Sequence, residues 1–283
     1  MRALLNLFKL RIGVAIAVAA LAGWAVERGP ALAGWQVAVL ALAVLMSSAA
    51  AGAFNQYVER DIDARMRRTR GRPFVTGRLR HGPAWLWAIG ALTIAAVLAA
   101  ALATNVVAAA HVFLGAFFYG VVYTVWLKRR TWWNIVIGGL AGSFAVLAGA
   151  AAVSPVPGPV ALALAVILFL WTPPHFWALA IAYREDYAQA GVPMLPVVVG
   201  DARAANAVLS GAWLLIIATL VPAMVGLGPI YLIAAVAGGA WFLLQCHALA
   251  AAPGPQTART AFRASLVQLV AVLGGAMLDV ALR

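Results

Sequence analysis

Asn55, Glu59 and Asp63 stand four residues apart in the stretch NQYVERDIDARMRRTRGRP, which runs from Asn55 to Pro73. At about 100° per residue, positions i, i+4 and i+8 of a helix fall within roughly 80° of arc, so one face carries three oxygen-bearing side chains, two of them anionic. Asp61 points well away from that face. Stacked carboxylates repel unless a cation sits between them. Open oxygen ligation of this kind suits Mg2+, which keeps several waters and binds jointly with substrate phosphates. Arg65, Arg67, Arg68, Arg70, Arg72, Arg78 and Arg80 follow in the same loop and supply donors for phosphate oxygens. Acids for a metal and arginines for an anion together describe a metal–diphosphate site. The plainer alternative is a solvated loop whose arginines serve membrane topology. It accounts for the arginines and leaves the carboxylates without a purpose.

The elements that must hold this face are membrane helices. The 283-residue chain is 65% apolar and 10% charged, against roughly 45–50% apolar in soluble domains. Uncharged stretches such as 83–127 and 131–183 exceed the ~20 residues a helix needs to cross hydrocarbon, so each holds two spans. Turn signals at Gly29-Pro30, Thr104-Asn105, Ser154–Pro159 and Gly226–Pro229 divide the chain into nine predicted helices: 10–27, 34–55, 83–103, 106–127, 132–153, 159–182, 204–226, 229–249 and 263–281. The expected fold is all-α, a polytopic membrane bundle forming a single domain over residues 1–283.

Every Lys and Arg except Arg28 and Arg283 then falls on one side, with the N-terminus and the loops after the second, fourth, sixth and eighth helices. Basic residues accumulate in cytoplasmic loops, so the N-terminus is expected in the cytoplasm and the C-terminus outside. The formal net charge of +12 follows from topology and attraction to anionic lipid and calls for no nucleic acid. Cys246 is the single cysteine, which excludes an internal disulfide or a cysteine-rich metal site. The first span begins near residue 10 and leaves no room for a transit peptide. The expected location is a prokaryotic plasma (inner) membrane.

Glu27 and Asp279 lie on the external side, whereas Glu59, Asp61, Asp63, Glu185, Asp186 and Asp201 occupy two cytoplasmic loops. Two acid-bearing loops four helices apart hint at a duplicated architecture, although no sequence repeat accompanies them. A transporter or channel would carry its acids within the spans, near the bilayer midplane.

These stretches resemble the UbiA-type intramembrane prenyltransferases. Asn55–Pro73 is similar to the first aspartate-rich motif of that family. YTVWLKRRTWWNIVIGG (Tyr123–Gly139) resembles its segment after the fourth helix, and WTPPHFWALAIAYREDYAQAGVPMLPVVVG (Trp171–Gly200) its sixth helix and second motif. Both motifs take the form found in the haem-farnesylating branch. The resemblance implies Mg2+-dependent transfer of farnesyl from farnesyl diphosphate to a vinyl group of haem B, giving haem O for haem–copper oxidases. It assigns Asn55, Glu59, Asp63 and Asp186 to metal and diphosphate, and Arg72, Lys128, Lys9 and Arg11 to diphosphate oxygens. Farnesyl diphosphate and haem B are then substrates, with membrane lipid around the protein and haem-oxidase assembly proteins as an expected contact. Three departures stand out. Ala190 replaces the second acid of D-x-x-x-D, leaving Glu185 or a water to complete that side. Lys9-Leu10-Arg11 stands where the family has Lys-Pro-Arg, and the segment after NIVIGG lacks its usual proline.

Prenyl transfer requires neutralisation of the departing diphosphate and an allylic cation kept from water and aimed at its acceptor. Tyr57, Tyr119, Tyr123, Phe113, Phe117 and Phe118 offer ring faces to such a cation, with packing or interfacial anchoring as the simpler role for each. Thr172-Pro173-Pro174-His175 predicts locally opened space in the sixth helix. His175, an intramembrane ionisable group, is the candidate haem contact and iron ligand; the alternative is a hydrogen-bonded packing histidine. His111 and His247 read as packing residues and His81 as a loop residue. Two rival functions are prenylation of a hydroxybenzoate- or naphthoate-like ring and non-catalytic haem handling. The latter has no need of the Asn-Glu-Asp face.

Overall fold

The computed structural model describes residues 2–283, and no strand occurs among the described residues. Among the described residues nine apolar helices of 17 residues or more follow one another: α1 (Leu10–Val26), α2 (Gly34–Val58), α3 (Ala84–Ala103), α4 (Val106–Leu127), α5 (Asn134–Val153), α6 (Pro159–Ala182), α7 (Asp201–Val225), α8 (Pro229–Ala251) and α9 (Pro255–Ala281). The last eight are long and apolar enough to cross a membrane. With 17 residues, α1 reaches about 26 Å at 1.5 Å per residue, close to the ~30 Å hydrocarbon thickness. The expected nine-helix pattern is therefore present. The main boundary shift is at α9, which starts at Pro255 rather than near 263. Gly254 and Pro255 open the helix, and Arg259 and Arg263 occupy its first turns beyond the apolar run, where periodicity gives no signal.

Neighbouring helices pack in sequence from α1–α2 to α8–α9, and α9 closes back onto α6 and α1. Large apolar side chains point outward: Leu102 is 86% and Trp87 81% exposed, a lipid-facing arrangement that water would penalise. The interior is built instead from alanine and glycine, which let backbones approach closely in a membrane. A Cβ added to Gly149 of α5 would lie 1.8 Å from the Ala20 carbonyl oxygen of α1, and one on Gly23 would lie 2.0 Å from that of Val146. The α1–α5 crossing admits no side chain at either point.

The two acids outside the acid-bearing loops, Glu27 and Asp279, cap helices. Glu27 accepts a hydrogen bond from the Gly158 N–H (2.9 Å) at the start of α6. Asp279, 1% exposed, accepts from the N–H groups of Gly228 (2.8 Å) and Tyr231 (3.4 Å) at the start of α8 and pairs with Arg283 at 2.6 Å. A carboxylate at a helix N-terminus satisfies orphan donors and complements the dipole. Asp279→Ala is expected to cost about 1–2 kcal/mol, read as a lower unfolding temperature in detergent, and Asp279→Asn less because it keeps an acceptor.

Candidate active site

Glu59 breaks ideal helical geometry at the end of α2 (φ −90°, ψ 14°), and a short helix, Arg60–Arg65, follows. The hydrogen-bond register nevertheless carries through: Glu59 N–H donates to Asn55 O (3.0 Å) and Asp63 N–H to Glu59 O (2.8 Å). Asn55, Glu59 and Asp63 thus share one face, and each is at most 2% exposed. Asp61 points outward, as its spacing predicts, and makes a bidentate pair with Arg129 (2.7 and 2.9 Å) that holds its carboxyl below the usual range.

Each member of the buried face meets a base from a different part of the chain. Lys9 Nζ donates to Asn55 Oδ1 at 2.7 Å and to the Tyr119 hydroxyl at 3.0 Å. Lys128 Nζ donates to Glu59 Oε2 at 2.6 Å. Arg72 grips both Asp63 oxygens through one nitrogen, at 2.6 and 2.7 Å. Three basic side chains therefore face two carboxylates, a balance that favours an incoming anion. Burial, reinforced by Arg72 and Lys128, pushes the Lys9 amine down to about 7. Burial likewise raises the Asp63 carboxyl, against the pull of Arg72.

Local structure explains how these bases arrive. The helix Arg2–Leu7 ends against Gln56, whose Nε2 donates to the carbonyls of Asn6 (2.7 Å) and Leu7 (3.0 Å). Lys9 then adopts φ +46°, a left-handed turn that is costly for a non-glycine residue. Its stem lies over Gly52, where a Cβ would come 3.4 Å from Lys9 Cδ. Lys128 is delivered by a π-helix, Phe118–Leu127, that ends α4. Bonds five residues apart, Lys128 N–H to Tyr123 O (2.9 Å) and Thr124 Oγ1 to Tyr119 O (2.8 Å), mark the widened turn. In an α-helix, residues five apart diverge by about 140°; here Tyr123 and Lys128 meet, with Nζ 5.5 Å from the ring centroid. Segments of this kind are rare and concentrate at functional sites.

Sequence reasoning missed the widened turn and the part played by Thr124, while naming Tyr119 and Tyr123 as ring faces. Thr124 Oγ1 accepts from Asn55 Nδ2 at 3.1 Å and so orients the amide, leaving Oδ1 toward Lys9. Tyr119 and Tyr123 stack in parallel at 5.7 Å beside the two lysines. Of the other aromatic candidates, Phe113 and Phe117 face outward, 47% and 38% exposed, and Tyr57 stacks on His81.

Asp186 is buried but belongs to a separate group. Its oxygens accept from the Arg68 N–H (3.1 Å) and from Arg67 Nε (3.4 Å), while Arg67 also pairs with Glu185 at 2.7 Å. Glu185, with a 79% exposed side chain, points to solvent and makes only that pair, and Ala190 is buried. Arg11 is exposed on α1 and makes no contact with the buried face. Pro173 and Pro174 are buried within α6, which continues across them, and Gly211 of α7 packs against the Pro174 ring. His175, 5% exposed, stacks between Trp171 (4.0 Å) and Phe262 (4.4 Å). Its Nδ1 lies 2.6 Å from Ser265 Oγ, whose hydroxyl also donates to Phe262 O at 2.7 Å. In that arrangement Nδ1 carries the proton, and only the Nε2 edge is left for a further partner.

No group of three or more His, Cys, Asp and Glu side chains forms a ready-made metal cage among the described residues. The buried face still fits a hard divalent cation held jointly with an anionic ligand. Glu59 Oε1 is buried with no hydrogen-bond partner, an anionic oxygen that a cation would satisfy, and Asn55 and Asp63 supply further oxygens on the same face.

A polytopic helical membrane protein whose buried acid–base face, at one end of the bundle, suits a metal-bound polyanion is the class that fold and site define. The UbiA prenyltransferase family model matches residues 15–270, and the chain belongs to that family. It is 56% identical over 279 residues to protoheme IX farnesyltransferase 2 of Paramagnetospirillum magneticum, covering 99% of this chain and 97% of that protein. A protoheme IX farnesyltransferase of Cenarchaeum symbiosum is 40% identical, over 90% of this chain and 85% of the relative. Two solved structures share the fold: digeranylgeranylglyceryl phosphate synthase, with TM-score 0.78, 16% identity and coverage of 100% of this chain and 99% of that one, and a UbiA homolog from Archaeoglobus fulgidus bound to DMAPP and Mg2+, with TM-score 0.74, 17% identity and coverage of 95% and 99%.

Proposed function

We propose that this chain transfers a farnesyl group from farnesyl diphosphate to a vinyl group of haem B, giving haem O and diphosphate, with Mg2+ as cofactor. The observation that carries the reading is the buried Asn55–Glu59–Asp63 face with Lys9, Lys128 and Arg72 seated on it. The 56% identity to a protoheme IX farnesyltransferase supports the acceptor. Asn55, Glu59 and Asp63 would hold the metal, with Asp186 approaching from the second loop. Bound Mg2+ supplies Lewis-acid neutralisation of the diphosphate.

The rest of the work falls to the chain. Arg72 and Lys128 exchange part of their carboxylate bonds for diphosphate oxygens and stabilise the charge that develops as the allylic C–O bond breaks. Its electron pair leaves with diphosphate. The vinyl π pair then forms the new C–C bond, and water captures the resulting cation and releases a proton. No side chain has to deprotonate the acceptor. Tyr119 and Tyr123 present ring faces next to the lysines, where they exclude water and tolerate positive charge. EDTA is expected to abolish turnover and added Mg2+ to restore it; full turnover in EDTA would remove the metal from the account.

We further propose that this end faces the cytoplasm, with the C-terminus outside, in a prokaryotic plasma (inner) membrane, a reading its concentration of basic residues supports. His175 is our candidate for the haem contact, through Nε2. His175→Phe, which keeps the stack between Trp171 and Phe262, is expected to shift the bound-haem absorption band and lower turnover; an unchanged spectrum with unchanged turnover leaves His175 a packing residue.

A further inference from the structure

A cleft of about 740 Å3 opens where the end of α6 meets the start of α9 and the arginine loop, lined among others by Arg67, Arg68, Tyr183, Asp186 and Arg259. None of Lys9, Asn55, Glu59, Asp63, Arg72 or Lys128 lines it, so it is separate from the Asn55–Glu59–Asp63 face and shares with the proposed metal set only Asp186, at its edge. Its cations are unequally matched. Arg67 is tied to Glu185 and Asp186, and Arg184 to Asp201 at 3.5 Å. The guanidiniums of Arg68 and Arg259 pair with no carboxylate among the described residues; Asp186 takes only the Arg68 backbone N–H, and the Arg68 guanidinium reaches the Tyr187 hydroxyl at 3.4 Å. Both guanidiniums lie instead against one ring, that of Tyr183, with centroid distances of 5.5 and 5.6 Å. Two like charges gathered around one ring repel unless an anion joins them, and planar guanidiniums held by stacking are prepared to grip carboxylates.

We propose that Arg68 and Arg259 dock the two propionates of the porphyrin acceptor, a proposal that rests on haem B being that acceptor. Haem B is an apolar disc with both carboxylates on one edge and its vinyl groups away from that edge. A cleft at the end of a membrane helix matches this division, with charged groups at the mouth and apolar helix faces below. The next polar pair down the α6–α9 seam is His175 and Ser265. They lie eight residues from Tyr183 and six from Arg259, about 12 Å and 9 Å along their helices. That separation is of the same order as the distance from a porphyrin's carboxylates to its centre. Anchoring the propionates at the mouth turns the vinyl-bearing part of the ring into the bundle, where the prenyl carbon must meet it.

Steady-state kinetics with haem B and with its dimethyl ester, whose propionates are neutralised, test the assignment. The wild type is expected to show an apparent KM for haem B at least about tenfold below that for the ester, the scale of losing charge-assisted hydrogen bonds. Arg259→Ala and Arg68→Ala each raise the KM for haem B toward that of the ester while the KM for farnesyl diphosphate stays where it was, and Arg259→Lys recovers part of the difference. Equal use of diacid and ester by the wild type, or wild-type discrimination in both alanine variants, overturns the propionate site and leaves farnesyl transfer to haem intact. A KM increase confined to farnesyl diphosphate reassigns the pair to diphosphate and overturns it too. A folded wild type that farnesylates neither porphyrin overturns the acceptor reading and this one with it.

Discussion

Asp63→Asn is expected to lower kcat/KM for farnesyl transfer by about 10²–10³-fold, the range for removing one preorganised electrostatic element of a reaction centre. Asp63 is buried and holds the Arg72 guanidinium with both oxygens, so the neutral amide weakens metal ligation and releases a base from its position at once. Breaking a buried pair costs up to about 3–5 kcal/mol of stability. The Arg72 side chain is 20% exposed, so water can reach it and the loss falls below that range. Thermal unfolding measured beside turnover separates the two effects. Asp61→Asn is the control two residues away. It disrupts an exposed pair with Arg129, worth about 0–1 kcal/mol, and leaves turnover within about twofold. Wild-type kcat/KM in Asp63→Asn would remove the buried face from the chemistry.

Gly149→Ala is expected to cause the largest loss of folded protein. Its methyl carbon would sit 1.8 Å from Ala20 O and 2.8 Å from the Trp24 backbone nitrogen, and neither is a side chain that can swing away. The α1–α5 crossing has to part, at a cost at or above the upper end of the ~1–3 kcal/mol seen for overpacking. Gly142→Ala on the same helix meets nothing closer than Leu168 Cβ at 3.8 Å. It should stabilise by up to about 1 kcal/mol, since alanine is the better helix former. Melting curves and size-exclusion profiles in mild detergent read both. Equal stability of the two variants would contradict the close approach of α1 and α5.

The contrast between these sites shows what a sequence displays. Helical spacing is local, so the shared face of Asn55, Glu59 and Asp63, the outward turn of Asp61 and the nine apolar spans are legible from residue order. The partners of that face are not local. Lys9 reaches Asn55 across 46 residues and Lys128 reaches Glu59 across 69, through a left-handed residue and a π-helix that hydrophobic periodicity does not encode. The resemblance assigned Lys9, Arg72 and Lys128 to diphosphate but gave them no partners within the chain. It also grouped Asp186 with the first motif but gave no sign that Arg67 and the Arg68 backbone N–H engage that carboxylate. Arg11 joins neither group because α1 turns it outward.

Farnesyl transfer to haem is read by incubating the purified protein in detergent with haem B, farnesyl diphosphate and Mg2+ and identifying the porphyrin product by chromatography and mass. The expected product is a haem carrying one farnesyl group and one added water, formed by the wild type and lost both in EDTA and in Asp63→Asn. Haem B recovered unchanged from a protein shown to be folded would contradict it.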